Sequence, residues 1–358
     1  MITFTGMAIA FFFAMNIGAS GAAASMGAAY GAGAVRSRHA ALCICGVGVF
    51  LGAALGGGEV AKTIGEGIVP SSIMTVRLAI MVLSSACISL SIANRLGIPL
   101  STSEVTVGAV VGAGVALQKV YLSSLAAIVA FWVLVPFAAF GLALLSGKAV
   151  IAAEGRFSAL RRGNRSRWLA GLLVLAGLME AFSAGMNNVA NAVGPLVGAG
   201  LMTVSDGILY GGLFVAAGAI LLGGRVLETN GKRITDLSLL EGSVVSGTGA
   251  LLVIGASLLG IPVPLTQVTT SAIIGIGTAR KGFSLWQKGL IKRMLKVWAV
   301  SPVFSLVIAY GLVKGLAHGD LYSVIAVASV FLATLGSISL FHSVRREKQS
   351  LNEHGEGI

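Results

Sequence analysis

At 358 residues, 56% hydrophobic and only 11% charged, the chain has too little charge to wet the surface of a soluble protein of its size. Its net charge of +12 does not indicate nucleic acid, because the basic residues lie in short runs between apolar stretches, the positive-inside pattern of a membrane protein. The fifty glycines suit helices that pack closely in lipid, so the composition implies an all-α polytopic membrane protein.

The first apolar stretch, 2–35, has no basic segment ahead of it and reads as a retained helix, not a cleaved signal. Half-way along it, at MNIGASGAAAS (15–25), it gives way to glycine, alanine and serine. Two readings fit that change. Ser20 in Gly-Ala-Ser-Gly could be the nucleophile of an intramembrane protease, or the small residues could let the helix open so that its backbone holds a solute. Apolar stretches follow at 40–57, 72–94, 98–117 and 121–147, then a basic linker over 148–167. Cys43 and Cys45, two apart and so on different helix faces, read with Cys87 as packing residues. After the linker come 168–202, 206–224, 239–259, 262–280 and 297–317. An extra span at 321–342 and a polar tail complete an expected 11–12 membrane segments. The stretches at 98–117 and 262–280 are short and proline-broken, which suggests re-entrant hairpins. RKGFSLWQKGLIKRMLK (280–296) reads as an amphipathic inner-leaflet helix or a solvated loop.

The chain repeats itself. GASGAAASMGAAYGAGA (18–34) aligns with GMNNVANAVGPLVGAGL (185–201), GGEVAKTIG (57–65) with GGRVLETNG (223–231), and GIPLSTSEVTVGAVVGAGVA (97–116) with GIPVPLTQVTTSAIIGIGTA (260–279). The order is the same in both halves and the offset nearly constant, so residues 1–147 and 168–317 form two repeats, with 318–358 appended. Arg36 and Arg38, the run from Lys148 to Arg167, the stretch from Arg280 to Lys296, and Arg345, Arg346 and Lys348 are all expected on the cytoplasmic side. Five crossings per half then insert the repeats in opposite orientation. Inverted-topology repeats with broken helices are the architecture of secondary transporters, with the substrate site at the repeat interface.

That architecture decides between the two readings of Ser20. A serine nucleophile needs a base, yet His39, His318, His342 and His354 all lie at segment ends or in the tail, and Ser20 aligns with Asn187. Intramembrane proteolysis is therefore disfavoured, and a passive anion channel is disfavoured by the duplication itself. No catalytic residue, metal site or cofactor is expected. Four polar, helix-breaking elements are expected to enclose one anion: Ser20, Gly21 and Ala22, with Ser25 beside them; Ser101, Thr102 and Ser103; Asn187, Asn188 and Asn191; and Thr266 and Gln267, with Thr269 beside them. Hydroxyls and amides supply donors without charge, and a restarting helix adds free N–H groups and the positive end of its dipole. Ser25 and Thr269 read equally well as packing residues.

At these elements the chain resembles the inorganic phosphate transporter family. The family's GANDVANAxG signature is legible as GMNNVANAVGP (185–195) and, eroded, as GASGAAASMG (18–27). Its PVSTTH-type element appears as PLSTSE (99–104) and PVPLTQ (262–267). The resemblance implies an inverted-repeat carrier that moves a tetrahedral oxyanion inward across the cytoplasmic membrane. Two departures bear on which anion. The signature aspartates, implicated in the family's ion and phosphate site, are replaced by Gly21 and Asn188, and the histidine after the serine–threonine run by Glu104 and Gln267.

Phosphate near neutral pH keeps a proton to donate to a carboxylate; sulfate has none and is repelled by one. A site of donors alone suits sulfate, and the pattern resembles the family's bacterial sulfate permease branch, with phosphate as the alternative. Bringing a dianion inward against the membrane potential costs about 2.3 kcal/mol per charge per 100 mV, so a cation must enter with it. Glu104, directly after the STS stretch, and Glu180, seven residues before Asn187, are the candidate proton carriers, with sodium as the alternative cation. Glu180 reads alternatively as a structural acid paired with a base such as Arg77. Glu59, Lys62, Arg225 and Glu228 fit gate residues or loop anchors. The expected partners are the oxyanion, the coupling cation, the lipid bilayer and a second copy of the chain in a homodimer, with no nucleic acid.

Overall fold

The computed structural model describes residues 1–95, 100–156, 167–234, 237–282 and 290–331. The polar tail, the far end of the extra span, much of the basic linker and residues 283–289 of the amphipathic stretch lie outside the described residues. In chain order the helices are α1 (Ile2–Ser20), α2 (Gly27–Gly31), α3 (Arg38–Gly56), α4 (Gly58–Lys62), α5 (Val76–Arg95), α6 (Thr102–Ala116) and α7 (Leu122–Arg156). Then follow α8 (Arg167–Gly198), α9 (Val204–Leu222), α10 (Gly224–Ile234), α11 (Leu239–Leu258), α12 (Leu265–Lys281), α13 (Leu290–Leu312) and α14 (Leu321–Phe331).

Among the described residues, eight helices are long and apolar enough to cross a membrane. Every apolar stretch read from the sequence contains a helix. The two proline-led ones are short: α6 has 15 residues and α12 has 17, roughly 22 and 25 Å at 1.5 Å per residue, against a hydrocarbon core of about 30 Å. Large apolar side chains such as Leu55, Phe137, Leu145, Leu221 and Leu251 stand exposed around the outside, as they do on a surface that faces lipid. The protein is a multi-pass membrane protein. The first part of the basic linker continues α7 as helix to Arg156. Cys43 is exposed and Cys45 buried, as their spacing requires.

Helix starts coincide between the halves. Ser37 caps α3 and Thr203 caps α9; Thr75 accepts from Leu78 N ahead of α5, and Ser238 forms a capping box with Glu241 at α11. Packing is reciprocal. α1 lies on α9 and α3 on α8; α6 lies on α13 and α12 on α7; α2 meets α10 and α4 meets α8. The same reciprocity holds for single residues. A Cβ on Gly18 would strike the backbone of Val215 and Ala219, and one on Gly185 the backbone of Val49 and Ala53. Gly31 abuts Gly231 while Gly198 abuts Gly65. Pro136 and Pro302 occupy matching places in α7 and α13. Each half thus packs against the other through equivalent residues in exchanged roles.

The helix breaks differ from expectation. In the first half the chain does not unwind at Gly21, whose φ of −87° and ψ of −57° stay helical; it tightens into a 3-10 turn over Ala22–Met26 before α2. In the second half there is no break. α8 runs without interruption through Asn187, Asn188 and Asn191 to Gly198, with Pro195 inside it. The amides of Asn187 and Asn191 find partners on neighbouring elements, so the backbone need not open to expose polar groups.

Candidate functional site

Asn187 lies at the centre of the polar interior. Its Oδ1 accepts from Ser103 Oγ at 3.3 Å and from the backbone N–H of Val263 at 3.2 Å. Its Nδ2 donates to Ser257 Oγ at 3.0 Å and to the carbonyl of Ile261 at 3.3 Å. One amide thereby ties α8 to α6, α11 and the extended segment before α12. Gly260, with φ of +71°, makes the turn that brings Ile261 and Val263 to it. One turn along α8, Asn191 Nδ2 donates to Ser103 Oγ at 3.2 Å and to Thr102 Oγ1 at 3.4 Å, while its Oδ1 is buried without a partner.

Helix α6 begins in this cluster. Ser101 precedes it in extended conformation and makes no capping bond, and Ser101, Thr102, Ser103 and Glu104 are all buried. The first intrahelical bond runs from Val105 N to Ser101 O, so the N–H groups of Thr102, Ser103 and Glu104 have no partner within the helix. Asn188 is 2% exposed and Ser101 is 5% exposed. The side chains of both are donors with no hydrogen bond among the described residues, set beside a helix N-terminus.

The position of Asn188 is informative. A Cβ built on Gly21 would lie 3.6 Å from Asn188 Nδ2, so these two repeat-equivalent residues face one another. A second repeat-equivalent pair also meets: Gln267 Nε2 donates to Glu104 Oε1, joining α12 to α6. Residues that align between the two sequence repeats thus meet at two separate places.

Not every expected residue reaches the cluster. Ser20 Oγ donates to the carbonyl of Asn16 at 2.7 Å, and Ser25 Oγ to that of Ala22 at 2.7 Å, where Cys45 also donates. Both hydroxyls are spent on their own helix. Ala22 is buried and contributes a carbonyl that is already occupied. Thr266 is exposed. Glu180 is buried apart from the asparagine cluster, where its Oε1 accepts from Thr269 Oγ1 at 2.7 Å and Ser246 lies beside it. Among the described residues it has no ion pair, so pairing with Arg77 is not found. Of the third repeated pair, Lys62 binds Glu59 at 2.7 Å and Glu228 binds Arg38 at 3.0 Å, both in exposed positions. Sequence reading missed Ser257, Ile261 and Val263: one is an ordinary serine in an apolar stretch, and the other two act through backbone atoms that carry no residue signal.

The chain matches a described family over residues 17–162 and 153–309, which together span most of its length. It belongs to the phosphate transporter family. Within that family it is 54% identical to the sulfate permease CysP of Bacillus subtilis, over 97% of each chain. It is 29% identical to a putative phosphate permease of Pyrococcus furiosus, covering 86% of this chain and 94% of the relative. Among solved structures it resembles a sodium-dependent phosphate transporter with a TM-score of 0.75 at 23% identity, over 88% of this chain and 99% of the other; that likeness concerns the fold. The relatives from Bacillus subtilis and Pyrococcus furiosus are both named as permeases.

Proposed function

We propose that this chain is a secondary active transporter that imports sulfate, or a closely similar tetrahedral oxyanion, across the cytoplasmic membrane, driven by protons. The observation that carries the choice of anion is the Gly21–Asn188 pair. These are the positions at which the resemblance set out above expects aspartates, and they face each other with no carboxylate between them. What remains is donors: the amide of Asn188, the hydroxyl of Ser101 and the first N–H groups of α6. Sulfate at neutral pH accepts at every oxygen and donates at none, so such a site suits it, while a phosphate would bring a proton with no carboxylate to receive it. The 54% identity to a sulfate permease supports the same choice.

The repeats are read as inverted in the membrane, so that exchanging the roles of equivalent contacts opens the site to one side and then to the other. The reciprocal packing of the two halves supports this reading. Glu104 and Glu180 are the proton carriers: both are buried, and neither has an ion-pair partner among the described residues. The residues are read as binding and coupling groups, with no bond-making chemistry.

The test is uptake of labelled sulfate into proteoliposomes, with and without an inward proton gradient, competed by unlabelled phosphate and molybdate. Gradient-driven uptake that phosphate does not compete supports the proposal. Strong competition by phosphate would favour phosphate transport, the activity named for the more distant relatives. Sodium-dependent uptake indifferent to a protonophore would overturn the proton coupling.

A further inference from the structure

The extended segment ahead of α12 is held at both edges. Successive residues of an extended chain turn their backbone groups to opposite edges, and the partners divide accordingly. Ile261 O and the N–H of Val263 both meet the amide of Asn187, on the α8 edge. The carbonyl of Pro262, between them, accepts from Trp132 Nε1 at 2.8 Å, on the α7 edge. Prolines at 262 and 264 leave the α7 edge without an N–H, so it presents acceptors alone. The carbonyl of Pro264 takes the backbone amides of Gln267 and Val268, which leaves that of Pro262 for α7. An indole donates and cannot accept, so Trp132 matches what this edge requires. Tryptophans of an interfacial belt turn their N–H to the headgroups; this one is spent on the carbonyl of a buried proline, where lipid offers no substitute.

A single residue separates the two holds. Displacing Pro262 therefore displaces both backbone groups that Asn187 binds, and Asn187 Oδ1 also accepts from Ser103 in the first turn of α6. Helix α7 is a firm anchor, since it packs so closely on α12 that a Cβ on Gly275 would strike the carbonyl of Phe140. The same pairing is written twice in the sequence. Pro136 and Pro302 bring α7 and α13 into register, which puts Trp298 in the place of Trp132, and the repeat alignment puts Pro99 in the place of Pro262. Two of the four tryptophans thus recur with a Gly-Ile-Pro segment, of which the first-half copy, up to Pro99, lies outside the described residues.

We propose that Trp132 is a positioning residue of the anion site: its indole N–H fixes the Pro262 carbonyl and, through that segment, the amide of Asn187 against Ser103. That an anion binds there rests on the transport reading; the fastening of the segment does not. An imidazole superposes on the five-membered ring of indole. Trp132→His, at a mildly alkaline pH where it is neutral, therefore keeps an N–H in the place of Nε1 and loses apolar bulk, while Trp132→Phe keeps an apolar ring and loses the donor. Titration calorimetry of sulfate on the purified full-length chain is expected to show the Phe variant binding about fivefold more weakly than the parent, the loss of one neutral hydrogen bond, and the His variant recovering most of that loss. A Phe variant that binds as the parent does, or a His variant no better than Phe, overturns the proposal. Hydrogen exchange at the Val263 amide, measured without sulfate, is expected to be fastest in the Phe variant; equal exchange in the two variants refutes the fastening itself. A parent that binds no sulfate refutes the transport reading and leaves the exchange measurement standing. Should neither variant fold, nitrogen-labelled tryptophan in the parent gives the test. The Trp132 indole N–H is expected to exchange slowly with water and to shift on adding sulfate, and a resonance unmoved by saturating sulfate overturns the proposal.

Discussion

Gly21 and Asn188 occupy equivalent places in the two repeats and face each other, with 3.6 Å between a Cβ built on Gly21 and Asn188 Nδ2. A charge placed at either position therefore enters the same small volume. Asn188→Asp replaces a free donor with a carboxylate beside the start of α6. It is expected to weaken sulfate binding about tenfold or more, the cost of a lost charged hydrogen bond plus repulsion. Titration calorimetry on the purified protein checks it. Competition by phosphate, whose proton the new carboxylate can accept, is expected to strengthen in the same variant. Unchanged sulfate affinity would remove the main support for sulfate as the preferred anion.

Asn187 holds four elements through one amide; Ser257 keeps a second bond to the carbonyl of Val253 and Ser103 one from Asn191, but the N–H of Val263 and the carbonyl of Ile261 have no other partner among the described residues. Asn187→Leu keeps most of the volume but leaves that donor and that acceptor unpaired. Each buried group left unpaired costs about 1–3 kcal/mol. The variant is expected to melt well below the parent in detergent, and below Asn188→Leu, which breaks no protein hydrogen bond. Equal melting temperatures for the two would mean that Asn187 is a ligand only and not a structural tie.

These two asparagines also show how far sequence reading reached. The repeat offset gave the equivalences, and the structure realises two of them as contacts, Gly21 with Asn188 and Glu104 with Gln267. The all-helical architecture and the shortness of α6 and α12 were legible because apolar length and proline position are local properties. Helix breaking was misjudged in the second half because asparagine and glycine lower helix propensity only weakly, and side-chain partners on α6 and α11 override that preference. Ser20 turns back on its own helix and Thr266 stands exposed for a related reason. A hydroxyl in an apolar stretch can turn back on its own helix or outward, and only packing decides which.

Arg280 and Glu241 form an ion pair between α12 and α11 in which the glutamate is fully buried and the arginine one-third exposed. Glu241 also closes the capping box with Ser238. Arg280→Ala leaves that carboxylate without its cation and is expected to destabilise the protein at the lower end of the ~3–5 kcal/mol typical of breaking a buried pair. Thermal unfolding in detergent reads this directly. Arg38→Ala, which breaks the exposed pair with Glu228, is the comparison and is expected to cost about 0–1 kcal/mol. If the two variants melt alike, the Arg280 pair is no stronger than a surface one.

Glu180 differs from its surroundings in having no counterpart. Its repeat equivalent is Phe13, and Thr106, the equivalent of its partner Thr269, has a buried hydroxyl with no hydrogen bond among the described residues. A carboxyl added to one half only serves no symmetric structural purpose, which suits a group that binds and releases a proton during the cycle. Glu180→Gln keeps the shape and can still accept from Thr269 through its amide oxygen, but it cannot take up or give up a proton. The variant is expected to fold, to exchange internal for external labelled sulfate across proteoliposomes, and to lose accumulation driven by a proton gradient. Both assays are run on one preparation, so loss of exchange as well would assign Glu180 to binding or folding. Full gradient-driven accumulation in the variant would leave Glu104 as the remaining carboxyl able to couple transport to protons.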